Sequence, residues 1–245
     1  MKIVAIVQAR MSSTRLPGKI MLPLKGKPVL QNIAERIMTA KNISGVIIAT
    51  SAETSDDIAA NFCMKAGIKV FRGSLNNVLE RYYKCALRES ADVIVRCTGD
   101  NALIDGNIID EAVNVFSSGG IDYLSYKKGL PLGMHTEVFS FAALEKSYHE
   151  ARDPECLEHV TPYMIKNPDK FRVMFFADDK DPDNSSMRFT MDTPEDYEFV
   201  KRVYDSFSTN IFTYAEILQV LSEHKEFLTI NQNIHQNELH YSGEK

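Results

Sequence analysis

MKIVAIVQARMSSTRLPGK, residues 1–19, decides how the rest of the chain is read. Ile3 to Val7 is a short, unbroken apolar run, the pattern of a strand buried on both faces. Directly after it come Arg10, Arg15 and Lys19, interleaved with Ser12, Ser13, Thr14 and Gly18. A loop leaving the carboxyl end of a buried strand is where open α/β sheets bind ligands. Three cations among hydroxyls and backbone N–H groups suit a polyphosphate better than a neutral ligand. The plain alternative is a solvated basic loop, since Lys and Arg usually sit exposed.

Downstream, the periodicity alternates. Val29, Leu30, Ile33, Ile37 and Met38 fall at helical spacing in Pro28 to Ala40, with Pro28 suited to a first turn. Val46 to Thr50 reads as a second buried strand, Asp56 to Lys65 as a helix closed by Gly67, and Ile68 to Phe71 as a third strand. Leu75, Val78, Leu79, Tyr82, Tyr83 and Ala86 share a helix face, with Asn76 as cap. Asp92 to Cys97 is a fourth strand ending in Thr98-Gly99-Asp100, and Asn107 to Phe116 a further helix. Strands alternating with helices at this spacing indicate βαβ units around a mostly parallel sheet.

Beyond Gly120 the pattern changes. Ile121 to Tyr126 and Thr136 to Phe139 read as strands flanking a loop, a hairpin-like insertion over the sheet's carboxyl edge. Ala142 to Tyr148 and Glu155 to Lys166 are helices, the second broken or kinked by Pro162. Phe171 to Phe176 and Met187 to Met191 are strands around an Asp- and Asn-rich loop. Asp192 then stands at a strand end before Thr193-Pro194-Glu195-Asp196, a cap followed by proline and acids that marks a helix start. Tyr214 to Leu221 is helical, and the expected organisation is one domain over 1–230, with the insertion at about 121–180 and a polar tail over 231–245.

The 245 residues and their 44% apolar content support a real core, and the net charge of −5 argues against a nucleic-acid footprint. The apolar run at the start is too short for a signal-peptide core, and no later run would span a bilayer. The four cysteines, Cys63, Cys85, Cys97 and Cys156, form no C-x-x-C pair, so reduced thiols in a cytoplasmic protein are expected. Neither a G-x-x-x-x-G-K-[ST] loop nor a G-x-G-x-x-G after the first strand occurs. A carboxylate beside a glycine at a strand end, as at Asp100, is placed to hold a hard cation, although a helix cap is commoner. Two such carboxylates, Asp100 and Asp192, would repel at one sheet edge unless a cation lay between them.

QARMSSTRLPGK resembles the signature loop of the sugar cytidylyltransferases, nearest the branch typified by the spore-coat polysaccharide protein SpsF, with CMP-Kdo and CMP-neuraminate synthetases as relatives. The resemblance runs along roughly the first two hundred residues. It implies a Rossmann-like α/β fold of nucleotide-diphospho-sugar transferase type. It also implies a CTP-wrapping loop in which Ala9, Arg10, Ser13, Arg15 and Lys19 take part. Arg72 and Gly73 would lie near the base with Arg81 behind them; the alternatives are a surface turn and a helix salt bridge. RCTGDNALID resembles GD-x-P-L-I-D, which makes Asp100 a metal ligand beside Gly99, with Asn101 and Ala102 replacing a small residue and a proline. MDTPEDYEFV resembles D-T-P-E-D, which makes Asp192 the second ligand.

On the acceptor side, GMHTEVFS and EHVTPY match family segments and implicate His135, Glu137, Glu158 and His159. His135 stands where an aspartate is expected, and Leu157 replaces the usual arginine. A lone histidine is more often a structural hydrogen-bonder than a ligand or base. The implied reaction is attack of an acceptor oxygen on the α-phosphorus of CTP with release of pyrophosphate. Arg10, Lys19 and Asp100 would be catalytic, Mg²⁺ the cofactor, and a sugar or sugar acid of surface-polysaccharide or glycoconjugate synthesis the acceptor. A pyrophosphorylase making a CDP-activated sugar or polyol and a non-catalytic nucleotide-binding subunit are the alternatives. Neither a nucleic acid nor a membrane is an expected partner; a homodimer is one open option for the assembly, which the sequence does not fix.

Overall fold

A computed structural model describes residues 1–177 and 183–234. One seven-stranded sheet organises them. Its strands are β1 (Ile3–Gln8), β2 (Val46–Ser51), β3 (Lys69–Gly73), β4 (Val93–Thr98), β5 (Tyr123–Lys128), β6 (Glu137–Ser140) and β7 (Val173–Ala177). Their order across the sheet is β3-β2-β1-β4-β6-β5-β7. β1 pairs in parallel with β2 and β4, β2 with β3, and β5 with β7, while β6 runs antiparallel to both β4 and β5. The mostly parallel Rossmann-like sheet expected from the sequence is therefore present.

Both faces are covered, which is why the central strands are apolar on both sides. Ile3, Ala5 and Val7 pack into one core with α1 (Val29–Ile37), α2 (Asp57–Lys65), α4 (Gly106–Ser118), α8 (Pro194–Asp205) and α9 (Tyr214–Glu223). Val4 and Ile6 pack into the other with α3 (Val78–Arg88), α5 (Phe141–Glu150), α6 (Pro154–His159) and α7 (Pro162–Lys166). A side-chain period of two along each strand divides the apolar residues between these layers. Register puts Gln8 of β1 beside Thr98 of β4 and Ala49 of β2, so β1 and β4 end level at one edge and β2 runs on to Ser51.

Three local expectations are corrected. Asn77, not Asn76, caps α3, its side chain accepting the Glu80 N–H at 2.8 Å; the two asparagines are chemically equal, and only the turn geometry separates them. Pro28 is the residue before α1 rather than its first turn, because it also closes a two-residue ribbon with Pro23. Met187–Met191 is not a strand: it contributes a single bridge, Arg188 with Leu132. The strands of the insertion, β5, β6 and β7, extend the central sheet itself, and its Leu132, Gly133 and His135 lie over the strand ends with Gln8 and Thr98. The kink at Pro162 is real, the predicted helix being split into α6 and α7. Asn231, where a polar tail was expected to begin, is buried and donates to the Arg188 carbonyl at 2.9 Å and the Asp196 carboxylate at 3.0 Å. Residues 235–245 of that tail, and 178–182 of the acidic loop, lie outside the described residues.

The four cysteines are buried free thiols. No helix among the described residues is long and apolar enough to cross a membrane. Arg36 of α1 is a fully buried cation that locks the helical layer from within. Its guanidinium donates to the carbonyls of Ile104 (2.9 Å), Leu103 (3.1 Å), Phe212 (2.9 Å) and Asn210 (3.1 Å) and lies 4.1 Å from the Phe212 ring. Replacing it with methionine keeps much of the volume but strands four inward-facing acceptors. Arg36→Met should therefore cost roughly 3 kcal/mol or more in chemical denaturation, and an unchanged midpoint would contradict the assignment.

Candidate active site

The level strand ends open into a cavity of about 1120 Å³. Its first wall is the loop after β1. Met11 is the neck of that loop: its carbonyl accepts the N–H groups of Ser13 (2.9 Å) and Gly18 (3.0 Å). The closed loop presents Arg10, Ser13, Thr14, Arg15 and Lys19 to the cavity. Arg10 and Arg15 are exposed, whereas Lys19 is 9% exposed and aimed inward.

Lys19 meets two carboxylates. Its Nζ donates to Asp100 at 3.0 Å and to Asp192 at 2.8 Å. The repulsion expected between the two aspartates is thus relieved by an ammonium group between them. Backbone pairing brings these distant residues together: the Met191 N–H donates to the Asp100 carbonyl at 3.0 Å. The 187–191 segment is held in turn by the Gly129–His135 loop, through Leu132 N–H to Met187 and Phe189 N–H to Leu132. Gly133 has φ +99°, and a Cβ there would lie 2.4 Å from the Thr190 nitrogen, so this contact requires glycine. At Gly99 a Cβ would lie 3.0 Å from the Ala9 Cβ and 3.1 Å from the Gln8 carbonyl, a tight approach that glycine eases.

Asp192 also pairs with Arg15 and Arg188, each at 3.1 Å. Arg188 is itself oriented by Asp196, which doubles as the reciprocal partner of Thr193 in the cap of α8. Burial alone would raise the Asp192 pKa, but Lys19 first, then Arg15 and Arg188, outweigh it and hold the carboxyl below its usual range. Burial likewise works against the Lys19 charge, and the two aspartates more than restore it. Thr98 donates its hydroxyl to Asp100.

The expected nucleotide-side residues divide. Ala9, Arg10, Ser13, Arg15, Lys19, Arg81 and Gly99 all line the cavity. Arg72 and Gly73 are not among its lining residues. The Arg72 guanidinium turns back to the Ser51 carbonyl (3.0 Å), the Glu53 carbonyl (2.8 Å) and Asp57 (2.6 Å). A Cβ at Gly73 would lie 3.0 Å from the Arg81 Cγ, so the Arg81 side chain packs over this glycine. Arg81 is 2% exposed and donates to the Ser74 carbonyl at 2.6 Å, so it is no surface helix pair; Glu80 takes that role with Lys84.

The acceptor-side residues His135, Glu137, Glu158 and His159 also line the cavity. Glu137 lies deepest. It is ion-paired with Arg96 and accepts the hydroxyls of Tyr123 (2.5 Å) and Thr161 (2.7 Å). Burial pushes its pKa up, but Arg96 and the two hydroxyls pull it below the usual value. Glu137 is therefore a floor that orders other groups. His135 points Nε2 at the Leu130 carbonyl, 3.1 Å away, so that nitrogen carries the proton and the ring, kept neutral by burial, is a structural donor. Glu158 and His159 end α6 just before Val160, whose φ of +73° belongs to a tight turn closed by the Thr161 N–H on the His159 carbonyl at 2.9 Å. A β-branched residue held there is strained. Sequence reading missed Arg96, Tyr123 and Thr161; a buried charge in the apolar run DVIVRC was the available signal.

The family profile described as Cytidylyltransferase matches residues 4–244. The chain belongs to the cytidylyltransferase family. As such it is a nucleotidyltransferase, and the match extends past the first two hundred residues. It is 35% identical over 236 residues to an uncharacterized protein of Methanocaldococcus jannaschii, covering 96% of this chain and 97% of that one. It is 37% identical over 207 residues to the spore coat polysaccharide biosynthesis protein SpsF of Bacillus subtilis, covering 82% and 86%. A solved cytidylyltransferase of Leptospira borgpetersenii superposes with a TM-score of 0.88 at 35% identity, over 97% of this chain and all (100%) of that one. A CMP:2-keto-3-deoxy-manno-octonic acid synthetase complexed with CTP (TM-score 0.64, 17% identity, 84% and 99% covered) shares the fold. So does a Mycobacterium tuberculosis protein in complex with manganese (TM-score 0.58, 18% identity, 84% and 100% covered).

The Glu137 cluster is testable without a substrate. Glu137→Gln leaves Arg96 buried beside a neutral amide, a loss of about 3–5 kcal/mol for one partner of a buried pair. Because the Glu137 pKa is depressed on folding, its stabilisation is complete above the ordinary carboxylate range and fades as pH falls through its folded value. Melting temperature followed from pH 7 down to about 3 should fall less steeply in Glu137→Gln than in the parent. Parallel curves would refute this role.

Proposed function

We propose that this cytidylyltransferase transfers CMP from CTP to a sugar or sugar acid, with release of pyrophosphate, in surface-polysaccharide or glycoconjugate synthesis. The observation that carries the reading is the Lys19 ammonium bridging Asp100 and Asp192 at the mouth of the Arg10–Arg15 loop. The names of the spore-coat relative and of the CTP-bound fold neighbour support the substrate classes.

The triphosphate would lie along Arg10, Arg15, Lys19 and the hydroxyls of Ser13 and Thr14, which line one wall of the cavity. The acceptor would enter between α6 and the floor made by Arg96, Glu137 and Tyr123. Its oxygen forms a bond to the α-phosphorus, the bond from that phosphorus to the β-phosphoryl oxygen breaks, and the acceptor hydroxyl loses its proton. Charge builds on the leaving pyrophosphate, and Lys19 and Arg15 are placed to neutralise it.

A divalent cation fits the donors present. Asp100 and Asp192 offer hard oxygen ligands close enough to share one ammonium. No group of three or more His, Cys, Asp or Glu side chains able to hold a metal occurs among the described residues, so phosphate oxygens and water would complete the shell. Mg²⁺ is the ion proposed, and when bound it would add Lewis-acid stabilisation of the phosphoryl oxygens. Lys19 would then shift from the aspartates toward phosphate, exchanging one set of anions for another.

Pyrophosphate release from CTP, Mg²⁺ and a panel of sugars and sugar acids tests the activity. Asp100→Asn and Asp192→Asn should each lower turnover about a hundredfold or more, and Lys19→Ala should weaken CTP binding. Because Asp192 is held by three cations, Asp192→Asn should also lower thermal stability. Full turnover in both asparagine variants would sink the assignment.

A further inference from the structure

An aspartate just before a helix is ordinarily its cap. Asp56 holds that position before α2, yet its side chain makes no capping bond there. It is 1% exposed and faces the other way. One carboxylate oxygen accepts the Met11 N–H at 2.7 Å; the other accepts the Ser51 N–H at 3.0 Å and the Ser51 hydroxyl. Met11 is the residue on whose carbonyl the cationic loop closes, through Ser13 and Gly18. Gly18 in turn precedes Lys19, whose Nζ bridges Asp100 and Asp192. Hydrogen bonds and short stretches of main chain thus connect the end of β2 to the two aspartates.

We infer that Asp56 is a positioning residue for the transfer reaction: it anchors the neck of the Arg10–Lys19 loop to β2 and so sets where the triphosphate-binding cations stand. Neither the signature motif nor the cavity lining includes Asp56, because it acts from behind the loop. Burial alone would neutralise it, but the N–H of Met11 and the groups of Ser51 keep it ionised, its pKa below the usual range. A charged acceptor binds an N–H about twice as strongly as a neutral one, which suits a loop that must hold still against a polyanion.

The inference rests on the nucleotide reading of the loop, and its test separates the two. Asp56→Ala frees Met11; Ser51→Ala removes a donor from the same carboxylate but leaves Met11 tethered; Asp56→Asn keeps one acceptor oxygen and folds with least disturbance. Two quantities are read in all four proteins: amide exchange across residues 9–21, and MgCTP affinity by calorimetry. Asp56→Ala should speed exchange at Met11 and Gly18 about tenfold, with Asp56→Asn intermediate and Ser51→Ala near the parent. CTP affinity should fall about tenfold or more in the same order, since a misplaced site loses binding geometry. If Asp56→Ala does not fold, Asp56→Asn against Ser51→Ala gives the same comparison. Equal loop exchange in parent and Asp56 variants would overturn the anchor. Equal losses in the Asp56 and Ser51 variants would overturn it too, since that is what general destabilisation produces. Faster loop exchange with no CTP binding even in the parent would keep the anchor and remove the nucleotide reading instead.

Discussion

Three residues separated by most of the chain, Lys19, Asp100 and Asp192, meet through one ammonium group. Neither carboxylate would be stable alone at a half-buried sheet edge, and a lysine 9% exposed would be costly without them. Each charge therefore makes the others possible. The arrangement fixes the amino-terminal loop against the end of β4 and the segment before α8 against both. The rest of the cavity is arranged around that triangle. Arg15 and Arg188 extend it on one side, and Thr98 on the other.

Such a triangle can only be held by stiff surroundings, and these are mostly backbone. Met191 donates to Asp100, the Gly133 turn presses on Thr190, and Gly99 lets β4 approach Ala9. These contacts use no ionisable group, so the charges can exchange partners without moving the frame. Charge does the selecting and main-chain packing does the placing, a division that favours preorganised electrostatic catalysis.

Much of this was legible in the sequence, unevenly. The parallel strands were readable because double-sided burial leaves unbroken apolar runs, as in Ile3 to Val7 and Val46 to Thr50. The cap at Thr193 was readable because capping is local chemistry. Met187–Met191 was misread as a strand because β-propensity reports a fit to a pleated neighbour, and its neighbour is an irregular glycine loop offering one bridge. The direction of the Arg72 side chain was not legible because a guanidinium reaches in any direction, and nearby carbonyls and Asp57 hold it. Asp56 stayed hidden since its decisive partner lies 45 residues away, while its local context suggests a cap. Long-range hydrogen bonds of single side chains leave no periodic trace.

β6 is only four residues long, yet in the ladder it alone joins β1–β4 to β5 and β7 among the described strands. Hydrogen bonding across the sheet thus narrows to a seam between the side that carries the cationic loop and the side that carries Tyr123, Ser125 and Phe175. Inheritance can treat the two sides differently. Changes beyond the seam reach the loop through that short strand and through the hold of the Gly129–His135 loop on residues 187–191. The outer strands can therefore change what their side chains present to the cavity while the cationic loop keeps its place.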